Sequence, residues 1–122
     1  MGVPGFLLRK LYKRGSLTAL DDERFTFTIQ NTLGTATLVS PPDITVNGIH
    51  HPAADVDAGP IDLAKLSWSH PYVFKRGTEI ELRLVGRLMR SNRIHIRIDT
   101  KEFDDIDFLV EDHLFHGKDE EE

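Results

Sequence analysis

The chain has 122 residues, 39% of them hydrophobic, six histidines, no cysteine and a formal net charge of −5. That length suits one domain able to bury a real core. The lack of cysteine excludes disulfides, thiolate metal sites, iron–sulfur clusters and cysteine nucleophiles. Charge is uneven: from Asp99 to the end 11 acids stand against 2 bases, while residues 1–98 carry 13 bases against 9 acids. A net-negative chain is a poor general nucleic-acid binder. No run of 18 apolar residues predicts a membrane helix, and the short apolar start followed by basic residues does not read as a signal peptide. The expected setting is therefore cytoplasmic, with no membrane and no nucleic-acid partner.

Residues 6–14 follow Pro4-Gly5 and are rich in apolar side chains. Phe6, Leu7, Leu8, Leu11 and Tyr12 fit a helical face about as well as a strand; the strand is preferred here. In a strand, Leu7 and Leu11 share one face and Leu8 and Tyr12 the other, so both faces want cover. One can pack on the core. The other is expected to meet a second copy or another protein, which places Leu7, Leu8, Leu11 and Tyr12 at a subunit interface rimmed by Arg9, Lys10, Lys13 and Arg14.

Phe25, Phe27 and Ile29 alternate with Thr26, Thr28 and Gln30, which is a half-buried strand in period two. Thr35 to Val39 is a short second strand stopped by Ser40-Pro41-Pro42. Asn47-Gly48 lies between β-branched pairs and predicts a hairpin tip, since both turn positions need positive φ. Residues 51–64 form a long connection, and Ile61 to Trp68 holds at most one helical turn. Three alternating runs then follow: 79–85, 93–99 and 105–110. They read as an antiparallel meander, with Phe27, Ile80, Leu82, Leu84, Ile94, Ile96, Ile98, Phe108 and Val110 buried together. The fold class is all-β: an antiparallel β-sandwich or partly open barrel of about eight short strands. Residues 1–116 form a single β domain, and 117–122 an acidic tail without structure.

Candidate sites are few. His50-His51 lie near Asp55 and Asp57, and His113 and His116 form an H-x-x-H. Neighbours on a strand point to opposite faces, and a metal needs three or four convergent ligands. His50, His51, His113 and His116 are therefore weak metal candidates, more simply read as surface histidines. Arg83, Arg87, Arg90, Arg93 and Arg97 could form an anion face, but Glu79, Glu81, Asp105 and Asp107 alternate with them. A cross-strand ion-pair ladder is the better reading, since interleaved acids cancel the field that phosphate binding needs. Trp68-Ser69-His70-Pro71-Tyr72 combines two aromatics with a histidine in a loop. Trp68, His70 and Tyr72 could stack on a sugar or dock on a partner; a hydrophobic plug closing one end of the sandwich is favoured over that. No G-x-S-x-G, glycine-rich phosphate loop or other catalytic pattern is present, so no catalytic residue and no cofactor is expected.

The opening Val3-Pro4-Gly5-Phe6-Leu7-Leu8-Arg9-Lys10-Leu11-Tyr12-Lys13-Arg14-Gly15-Ser16-Leu17 resembles that of a family of small, mainly archaeal proteins of about this length. Phe25-x-Phe27-x-Ile29-x-Asn31-x-Leu33, Val46-Asn47-Gly48, Gly77 and Gly86 continue the likeness. Members often carry the label hydroxymethylglutaryl-CoA reductase. A reductase of that name needs a large fold for NAD(P)H and acyl-CoA, with glycine-rich cofactor contacts; an all-strand chain of 122 residues does not supply it alone. The layout is also similar to the small β subunit of C-glycoside deglycosidases, where a β-sandwich accompanies a catalytic barrel; that family's turn glycine is missing from Arg87 to Asn92. The expectation is a non-catalytic accessory or interaction subunit, self-associating or bound to a protein partner through an open sheet edge or the Trp68–Tyr72 loop. The alternatives are a small subunit of a sugar-processing enzyme, and a small-ligand or metal-binding module.

Overall fold

The computed structural model describes residues 3–104 and 106–114. Nine strands are present among them, all in antiparallel pairs. The first sheet is ordered β1-β2-β7: Thr18–Ala19, Arg24–Gln30 and Glu79–Val85. The second is ordered β5-β4-β8-β9: Ile49–His51, Asp43–Val46, Ser91–Ile98 and Ile106–His113. A short pair, β3 (Ala36–Leu38) with β6 (Tyr72–Phe74), joins their margins. The inward-facing residues of both larger sheets belong to one core, so the molecule is an open sandwich rather than a closed barrel. All nine residues expected to be buried together are in that core.

Strict alternation explains the strands. In β7 and β8 every second residue is buried, with Ile80, Leu82, Leu84, Ile94, Ile96 and Ile98 inward and charged side chains outward. β9 follows the same rule at Ile106, Phe108 and Val110, and β2 buries Phe25, Phe27 and Ile29 inward with Thr26 also covered on its other face. Asn47 (φ 53°) and Gly48 (φ 81°) make the β4–β5 hairpin tip with both angles positive, as that turn demands. The tip is fastened to β8: the Asn47 N–H donates to the Arg93 carbonyl at 2.8 Å, and the Arg93 N–H donates to Asn47 Oδ1 at 2.9 Å.

Two expectations are corrected. Residues 6–14 are not a strand. They form a short helix α1 (Gly5–Leu8) and a 3-10 turn (Arg9–Leu11), with Tyr12 alone bridging to Ile29. Pro4 starts the helix, its carbonyl accepting the Leu7 and Leu8 N–H groups at 3.0 and 3.1 Å. Leu8, Leu11 and Tyr12 stand at i, i+3 and i+4, one face of a helix, and all three enter this chain's own core. Leu7 is half-buried and Phe6 is exposed. The two uncovered faces that argued for an interface at Leu7, Leu8, Leu11 and Tyr12 do not arise.

Nor do the last three long strands form a meander. β7 pairs along its whole length with β2, and β8 pairs with β4 and β9. The chain crosses between sheets at Gly86–Arg90. The crossing is held by Asn92, which has no exposed surface: its Oδ1 accepts from the Met89 N–H and from Asn47 Nδ2, and its Nδ2 donates to the Met89 carbonyl.

Candidate functional site

The crossing leaves β7 at the margin of its sheet. Backbone groups along an antiparallel strand point alternately to its two neighbours. On β2, Thr28 stands opposite Glu81, and its own groups point away from β7: its carbonyl accepts from the Lys13 N–H and its N–H donates to Ser16 Oγ, each at 2.9 Å. Ile80, Leu82 and Leu84 therefore bond to β2, while Glu79, Glu81, Arg83 and Val85 point outward. Arg83 finds a partner there. Its N–H donates to the Asp57 carbonyl at 2.8 Å and its carbonyl accepts the Asp57 N–H at 2.9 Å. The chain then turns away through Ala58 to Ile61. Among the described residues, no backbone group answers Glu79 or Glu81 on that side.

A cavity of about 660 Å³ lies along this open stretch. Glu79, Glu81 and Arg83 line it together with Pro60, Leu66 and Tyr72. Its lining carries four carboxylates, Asp57, Asp62, Glu79 and Glu81, against the single guanidinium of Arg83. Nearby cations touch them loosely at exposed positions: Lys13 Nζ is 3.0 Å from Glu79, Lys65 Nζ is 3.7 Å from Asp62, and Arg83 Nε is 3.5 Å from Glu81.

The Trp68–Tyr72 loop borders this cavity. Ser67 and His70 exchange both backbone bonds at 3.2 Å, and Ser67 Oγ accepts the His70 N–H at 3.1 Å. The tight turn throws Trp68 outward, where it is 67% exposed with Lys101 Nζ 5.4 Å from its ring centre. Trp68 is thus no plug. His70 is exposed; Tyr72 is half-buried, lies 6.3 Å from Phe74 and lines the cavity.

The histidines stay apart. His50 is exposed, with Nε2 3.7 Å from Asp43. His51 is buried edge-on to Phe25. Burial holds its imidazole below the ordinary histidine value; the neighbouring His50 adds to this and Asp55 opposes it. His113 ends β9, and His116 lies outside the described residues. Among the described residues no three His, Asp or Glu side chains gather for a metal. The outer face of β8 and β9 is a ladder of opposite charges: Arg93 lies 3.5 Å from Glu111, His95 bonds Asp107, and Arg97 stands in register with Asp43 and Asp107.

The family described as "Hydroxymethylglutaryl-CoA reductase, N-terminal domain" matches residues 7–115. The chain belongs to this family. No curated protein and no solved structure matches it. The match begins within α1 and takes in every described strand and the whole cavity, so the open margin of β7 is part of the family domain in this chain. Sequence reading placed Glu79, Glu81 and Arg83 correctly on a solvent face. It missed that they border a gap, because alternation reveals a strand's inward and outward faces but not which strand lies beside it.

Proposed function

We propose that this family member is a non-catalytic interaction subunit, and that it works through the open margin of β7 and the adjoining Trp68–Tyr72 loop. One observation carries this reading: two outward backbone positions, Glu79 and Glu81, unanswered among the described residues beside a cavity of about 660 Å³. Natural sheets cover or blunt such margins, and one left open is a template for another chain. Trp68 adds an aromatic anchor of the kind that concentrates binding energy at interfaces. The family name attaches such domains to a reductase. All described strand pairs are antiparallel, whereas the doubly wound dinucleotide-binding fold is built on parallel βαβ units. That supports a role beside a catalytic chain rather than as one.

The test has two parts. The purified chain is assayed for NAD(P)H oxidation with hydroxymethylglutaryl-CoA, and no turnover is expected. A photo-crosslinking amino acid is then placed at Glu81, at Trp68 and, as a control, at Arg97 on the other sheet. In host cells, Glu81 and Trp68 should yield the same protein adduct and Arg97 none. Turnover by the chain alone, or adducts that ignore the site of the probe, would contradict the proposal.

A further inference from the structure

Resting on the reading just given, we infer that the partner segment at β7 is an extended peptide carrying Lys or Arg at alternate positions, added as a further strand opposite Glu81 and Glu79. The chain's own bonding sets the pattern. At the outward position filled among the described residues, the incoming residue is an acid and the resident a base: Asp57 pairs with Arg83 through two backbone bonds. Opposite charges on directly opposed residues stabilise a strand pair, and like charges destabilise it. The next two outward residues are Glu81 and Glu79, so a strand continuing in register finds carboxylates where Asp57 found a guanidinium.

Side chains on that strand alternate between faces. Those on the face of Glu79 and Glu81 should be cationic. Those on the other face meet Ile80, Leu66 and Tyr72, which line the cavity, and should be apolar. The resident contacts of the acids do not close the site. Lys13 and Glu79 are each about half exposed, as are Arg83 and Glu81; such surface pairs contribute little and exchange readily for another cation. A second copy is a poor occupant. Two β7 strands paired about a two-fold axis centred on Glu81 would set Glu81 against Glu81, which is the disfavoured arrangement.

The probe is an eight-residue peptide of alternating lysine and valine. Its binding is followed by the emission of Trp68, the single tryptophan, and by calorimetry. Three comparisons define the mode: the glutamate/valine peptide, the lysine/valine peptide N-methylated at alternate backbone positions, and the lysine/valine peptide with Glu81→Lys and Glu81→Pro proteins. Proline at 81 removes the carboxylate together with an outward N–H that does not bond to β2; circular dichroism checks that both variants stay folded. Binding should weaken at least tenfold for either variant, and should be lost for the acidic and the N-methylated peptides. Failure of the lysine/valine peptide to bind overturns the inference. Equal binding of the N-methylated peptide, or indifference to Glu81→Lys, overturns it too. If the Glu81 cross-link survives such a failure, the interaction surface stands and only the nature of its occupant is wrong.

Discussion

Tyr12 and Asp112 are 100 positions apart and joined by a buried hydrogen bond of 2.7 Å. The same carboxylate oxygen accepts the Gly15 N–H at 3.0 Å, and the other oxygen accepts the His113 N–H at 2.9 Å. One acid thus ties the N-terminal turn to β9. The Tyr12 hydroxyl is pushed well above its usual range, first by burial and then by the hydrogen bond and charge of Asp112; it remains a donor at any working pH. Tyr12→Phe keeps the ring on Phe27 and removes the hydroxyl that donates to Asp112. Because a hydrogen bond to a charged group contributes about 1.5–3 kcal/mol, urea unfolding should show a loss of that size; a loss under about 0.5 kcal/mol would mean that water takes the hydroxyl's place. His51 makes a second prediction. Its imidazole binds protons less readily in the fold than in the unfolded chain, whose value is near 6.5. As pH falls through that value the unfolded state gains protons first, so stability present above it is lost on acidification. The drop in urea midpoint from pH 8 to pH 5 should be smaller in His51→Gln than in the parent; equal drops would contradict the assignment.

At the level of elements, β8 is the spine of the second sheet, paired on both sides along its buried centre. Ile96 is almost wholly buried and faces the first sheet across the core. Ile96→Ala should cost about 2–5 kcal/mol, as expected of a large-to-small change in a packed core, measured by denaturant unfolding; a loss below about 1 kcal/mol would place Ile96 outside the core. The long strands were legible in the sequence because period two needs no knowledge of neighbours. The N-terminal segment was not, since Leu8, Leu11 and Tyr12 satisfy a helical face as well as a strand run. Its resolution depends on Asp112 and Phe27, both remote in sequence.

For the whole molecule, the decisive feature is the crossing at Gly86–Arg90. A hairpin there would have placed β8 beside β7 and covered Glu79 and Glu81. Instead the chain passes to the opposite sheet, pinned by the buried Asn92. A connection of this length serves a hairpin and an arch alike, so alternation sets Glu79 and Glu81 outward without showing what lies beside them. Glu81 read as a rung in an ion ladder and is in fact a place where the ladder stops. Trp68 is exposed rather than packed as a plug, and its loop closes at the Ser67–His70 turn, which carries no strong pattern. The most direct measurement is residue-resolved amide hydrogen exchange. In the isolated protein the Ile80, Leu82 and Leu84 amides, bonded to β2, and the Arg83 amide, bonded to Asp57, should exchange slowly, and the Glu79 and Glu81 amides rapidly. Adding the lysine/valine peptide should slow Glu79 and Glu81 selectively. If Glu81 is already as protected as Leu82 in the isolated chain, the margin of β7 is not open and the account fails.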